Sequence, residues 1–150
     1  MYMTLRPLFA WALLAYAGAE IFFIGVSWWL PGAGDNLLQR SYRTDPTTLT
    51  TVGLPILALL ISAWLKPALG SAKLVAVVAL AEYLIILLFG FFTFMLGLLH
   101  IIDFVDSSSD LVAAYSHIVF ALLGLVIAAL CAFTCWRYYS SRDPFTGVTA

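Results

Sequence analysis

Apolar residues fill four long stretches of this chain, at about 8–30, 47–66, 73–102 and 111–137, with shorter polar connections between them. A helix needs about 20 residues at 1.5 Å each to cross a ~30 Å hydrocarbon core, and each stretch offers that length. The borders carry helix punctuation. Pro7 suits a first helical turn, Pro31-Gly32 ends the first stretch, and Asp45-Pro46 reads as an N-cap followed by proline at the first helical position. Lys66-Pro67 and Gly70 close the second stretch, Ser71 caps the third, and Ser107 with Asp110 three residues on resembles a capping box for the fourth. The second stretch is the weakest, because it is strictly apolar only from Val52 to Leu65 and contains Pro55, which lacks a backbone donor. It spans only if its helix starts near Pro46, kinks at Pro55, and uses Thr47, Thr48, Thr50 and Thr51 at the interface or on freed backbone groups.

Short connections between apolar helices favour antiparallel neighbours, so the pattern predicts an all-α integral membrane protein, an up-down four-transmembrane-helix bundle in one membrane domain. In that bundle 31–46 is an outer loop, 67–72 an inner loop, 103–110 an acidic outer loop and 138–150 a cytoplasmic tail. Composition agrees: 63% of the 150 residues are hydrophobic and 10% charged, against about 25% charged in soluble domains, and the mean hydropathy is +1.02. A net charge of −1 with no basic tail gives no footprint for nucleic acid. Basic residues set the orientation. With the N-terminus inside, Arg6, Lys66, Lys73, Arg137 and Arg142 lie on the inner side and only Arg40 and Arg43 outside, which predicts both termini cytoplasmic in a plasma (inner) membrane. All five tryptophans fall near predicted helix ends, as in an aromatic belt. The opening residues have the order of a signal peptide, with small residues at Ala15 and Ala17, but the apolar run continues to Leu30, which predicts a retained first span.

Helices in lipid associate where small residues let backbones approach. Candidate contact stripes are Ala15 and Ala19 in the first segment, Gly90 and Gly97 in the third, and Gly124, Ala128 and Ala132 in the fourth. Laying the first segment on the third with Glu20 over Glu82 also matches Ala17 with Ala79 and Ile24 with Ile86, a thin sign of an internal repeat.

Two acids stand inside apolar segments. Glu20 lies roughly 18 Å from the inner end of its span and Glu82 roughly 13 Å beyond Lys73, at the helical rise. An ionised acid at such depth costs on the order of 3 kcal/mol on insertion scales, so each should face the bundle interior, protonated or hydrogen-bonded. Tyr16 is one turn before Glu20 on the same face, and Ser27 two turns after it. Two facing carboxyls would form a proton-sharing pair or a cation site; alternatively each bonds a neighbouring helix or a basic group on a partner. A glutamate after alanine in a first helix is also found in four-helix small multidrug transporters, but the likeness stops at Ala19-Glu20, since this chain has a second buried acid and an extended first loop.

His100 and His117 bracket the acidic loop on adjacent helices and, with Asp103, form a candidate haem or divalent-metal site, or serve as interfacial histidines bonded to backbone or water. Cys131 and Cys135, one turn apart with no third ligand nearby, read as small apolar side chains. No nucleophile elbow, phosphate loop or zinc-protease signature occurs, which argues against an enzyme. The contrast between many packing signals and little chemistry points to an accessory or interaction subunit, with the lipid bilayer and other membrane-protein subunits or further copies of itself as partners. The alternatives are a small proton- or cation-coupled transporter using Glu20 and Glu82, and a haem or quinone carrier using His100 and His117. No particular cofactor is indicated.

Overall fold

The computed structural model describes residues 2–30, 32–65, 68–104 and 108–141. Within them the chain forms α1 (Tyr2–Trp29), α2 (Leu37–Arg43), α3 (Leu49–Ala63), α4 (Ala72–Phe104) and α5 (Ser108–Ser140), with no strand. Leu5–Trp29, Ala72–Ile102 and Asp110–Ser140 are long and apolar enough to cross a membrane, and the protein is membrane-embedded. The 15 residues of α3 reach only about 22 Å.

The boundaries depart from the sequence pattern in three places. Helix α1 begins at Tyr2, so Pro7 lies inside it and not in its first turn. Helix α5 continues to Ser140, past the expected end at 137. The largest change lies around the start of the second stretch: the expected outer loop 31–46 contains a helix, α2, and the second stretch forms the single, shorter helix α3. Asp45 does not cap a helix: its Oδ1 accepts from the Thr47 backbone N–H at 2.8 Å and the Thr47 hydroxyl at 2.6 Å. This local turn holds the chain out of helix there, the familiar competition of Asx side chains with the backbone ladder. The N-cap moves to Thr48, whose Oγ1 accepts from Thr51 N at 3.1 Å, while the Thr51 hydroxyl donates to the Pro46 carbonyl at 2.6 Å. Upstream, Asn36 caps α2 by accepting from Gln39 N. Lys66, Pro67, Asp106, Ser107 and Arg142, which carry parts of the loop, capping and orientation expectations, lie outside the described residues.

Helix α2, the extended stretch 44–48 and α3 run together, antiparallel to α4. Tyr42 meets Gly97, Pro46 meets Gly90, and the Tyr83 hydroxyl donates to the Val52 carbonyl at 2.5 Å. That last bond lands beside Pro55, whose missing N–H would otherwise serve the Thr51 carbonyl. The glycines are what let an irregular backbone lie so close. A Cβ at Gly97 would stand 3.4 Å from the Tyr42 Cα, one at Gly90 3.2 Å from the Pro46 ring, and one at Gly124 2.8 Å from the Thr47 Cβ. Gly90, Gly97 and Gly124 thus receive the 42–47 segment, whereas Ala128 and Ala132 are buried in the helix-packed core.

The most extensive pairings are α4 with α5 and α1 with α3. Their shared core takes Ala10, Leu14 and Ile21 from α1, Val52 and Leu59 from α3, Val75, Ala79, Tyr83 and Ile86 from α4, and Ala128 and Cys135 from α5. Lipid offers these helices no hydrophobic drive to associate, so close packing of small residues carries the contact.

Gly124→Ala should therefore destabilise the fold by about 1–3 kcal/mol, because Thr47 is pinned by Asp45 and cannot retreat freely. Gly53→Ala, in the interior of α3 with nothing within 4 Å of the added methyl, should be neutral or stabilising by up to about 1 kcal/mol. Thermal unfolding in detergent followed by circular dichroism compares the two; equal melting would remove the close-approach explanation.

Candidate functional site

Helix α1 carries Arg6 and Glu20, 14 residues apart and therefore about 21 Å along its axis. That separation matches the length of α3, against which α1 packs antiparallel. Arg6 Nη2 donates to the Ile61 carbonyl at 2.9 Å and the Leu65 carbonyl at 2.5 Å, at the C-terminal end of α3. Glu20 Oε1 accepts from the Thr50 hydroxyl at 2.7 Å and the Thr48 hydroxyl at 3.2 Å, at its N-terminal end. Each charged side chain faces the pole of the helix dipole that attracts it. Thr48 stands 3.0 Å from both Thr50 and Thr51, so the carboxyl joins a hydroxyl cluster already ordered by the cap.

Another basic residue serves a helix end in the same way. Arg40 Nη1 donates to the Trp28 carbonyl at 2.9 Å and the Trp29 carbonyl at 3.3 Å, closing the end of α1. Trp28 departs from the belt reading. Its ring packs edge-on against Phe89 and Phe92, and its Nε1 donates to Ser41 at 3.0 Å, while Trp29 is 75% exposed. Sequence reasoning counted Arg6 and Arg40 as orientation markers only. The 14-residue spacing of opposite charges on α1 was the available signal, but it acquires meaning only once α3 is known to be short.

The structure does not bring Glu20 and Glu82 to one cavity. Glu82 is 9% exposed and lies against Gly18, its Oε1 3.2 Å from where a Cβ there would sit. Gly18 and Glu20 point about 200° apart around α1, so the acids occupy opposite flanks of that helix at nearly one level. Glu20 lines an open groove of about 500 Å³ with Tyr16, Ala19, Phe23, Ile24 and Ser27, and Glu82 is not part of it. One oxygen of each acid, Glu20 Oε2 and Glu82 Oε2, is buried without a hydrogen-bond partner among the described residues. Ala15 and Ala19 face away from the chain's own helices and are exposed.

His100 and His117 do converge, on an aromatic ring. Tyr42 packs against His117 with ring centroids 4.4 Å apart and against His100 at 5.6 Å. A haem held between the two imidazoles would have to displace that ring. The Asp103 side chain lies outside the described residues, and no group of three or more His, Cys, Asp or Glu suited to a metal ion occurs among them. Cys131 and Cys135 are free thiols, Cys135 in the core and Cys131 packed against it.

Comparison of the chain with protein-family models, with curated proteins and with solved structures finds no match.

Removing the charges that bracket α3 should weaken the fold in proportion to the bonds lost. Arg6→Gln should cost about 2 kcal/mol and Glu20→Ala about 1–2 kcal/mol, with Glu20→Gln milder because it keeps an acceptor for the threonine hydroxyls. Melting temperatures in detergent measure this; an unchanged value for Glu20→Ala would show that the threonine contact contributes nothing.

Proposed function

We propose that this protein is a non-enzymatic interaction subunit of a larger membrane assembly, and that it docks a transmembrane helix of another subunit, or of a second copy, on the outward face of α1. The observation that carries the reading is the composition of that face. Tyr16 is 61% exposed and makes no hydrogen bond among the described residues, Ser27 is exposed, and the Glu20 groove opens between them. Polar groups on a helix surface are poorly served by lipid and well served by a neighbouring helix, and the exposed Ala12, Ala15 and Ala19 beside them permit close backbone approach. Phe22 and Phe23, 64% and 67% exposed, supply apolar area on the same side.

The reading includes a topology. Helix α2, the stretch 44–48 and α3 act together as a fourth, interrupted span of an up-down bundle, and the distribution of lysine and arginine supports an orientation with both termini in the cytoplasm at a plasma membrane. A second reading, proton- or cation-coupled transport, draws on the interrupted span and on the unpartnered Glu82, since broken helices hold ion sites in transporters.

Ala15→Leu combined with Ala19→Leu should abolish association while leaving helicity and melting unchanged, because neither side chain touches the chain's own core. Native mass spectrometry from gentle detergent or nanodiscs reads the outcome, and a monomeric wild type would sink the docking role. The transport reading expects Glu82→Gln to abolish pH-dependent flux in liposomes with the fold intact; wild-type flux in that variant rules it out.

A further inference from the structure

The interruption at 44–48 leaves a partly open cavity of about 10 Å³ against α4 and α5. Its polar boundary is formed by Ser41, Thr44, Asp45, Thr47, Thr93 and His117. Most of these side chains already have employment within the fold. Ser41 donates to the Leu37 carbonyl, Thr44 to the Arg40 carbonyl and Thr47 to Asp45. His117 is different: its ring packs against Tyr42 at a tilt of 41°, yet neither ring nitrogen hydrogen-bonds another protein group among the described residues. Thr93, 2% exposed, spends its proton on the Gly90 carbonyl at 3.2 Å and keeps its lone pairs.

An imidazole inside a membrane protein needs partners for both nitrogens, and irregular backbone at membrane depth persists where it is buried in protein or lines a hydrated space. A volume of this size, at the lower limit for one water, bordered by several polar groups, suits a single water molecule and excludes a larger ligand. We propose that the cavity is a hydration site, in which one water hydrogen-bonds a ring nitrogen of His117 and the Thr93 hydroxyl and connects to the exposed Asp45 at its rim. The site goes beyond the docking reading, since it lies away from the α1 face and uses none of its residues. It gives the two histidines different tasks: His117 is hydrated through the break, and His100 packs on the other contact of Tyr42.

The test uses the full-length protein in lipid bilayers with ring-¹⁵N-labelled histidine and His100→Gln, which leaves His117 as the one histidine. Water-edited solid-state NMR should show rapid magnetisation transfer from water to the His117 ring. Thr93→Val should lose the rapid phase, and Thr93→Ser, which restores the hydroxyl, should regain it. Absence of rapid transfer in the Thr93 parent overturns the site outright, whatever the folding of the valine variant. Rapid transfer that survives Thr93→Val also overturns it, because the water would then reach His117 from the bilayer surface and not from the cavity.

Discussion

Helix α3 is shorter than the three long helices of the fold, so its terminal backbone groups need partners supplied by the protein, and the arrangement around α3 follows from that constraint. Its neighbour α1 supplies a guanidinium at one end and a carboxyl at the other, spaced by nearly the length of the helix they bracket. The acid that looked anomalous in an apolar segment is half of this clasp. Its cost of burial is offset by two hydroxyl donors and a helix N-terminus, so a nearby cation is not required.

Shortening α3 creates a second demand, because something must fill the space above it. The chain fills it with α2 and an extended stretch held by Asp45, and α4 and α5 yield room at Gly90, Gly97 and Gly124. Glycine is used here for the absence of a Cβ, so that irregular backbone can touch helix backbone. Arg40 then bonds carbonyls that the end of α1 leaves open, and Tyr83 ties α4 to the Val52 carbonyl of α3. Charged and hydroxyl side chains in this sparsely polar sequence are therefore concentrated where regular helix stops.

With the helix ends served in this way, the polar groups left over stand out. Tyr16 and Ser27 face outward beside a row of exposed alanines, and Glu82 sits unpartnered on the other flank of α1. The first set of polar contacts closes the fold, and the second makes no hydrogen bond to another helix among the described residues.

The membrane character, the three long helices and the presence of two deep acids were legible from the chain alone, because length and hydropathy are local quantities and the bilayer imposes them on each segment independently. The weak second segment was legible as weak, through Pro55 and its threonines. The break that follows α2 and delays α3 to Leu49 was not. That depended on Asp45 choosing a turn over a cap, a choice stabilised by glycines more than 40 residues away. The stripe of small residues was visible too, but only packing decided that Ala128 meets its own bundle, that Gly124 meets Thr47, and that Ala15 and Ala19 meet neither. Sequence spacing tells which residues share a helix face. Which face turns inward is decided by the neighbours that a short, clasped α3 brings into contact.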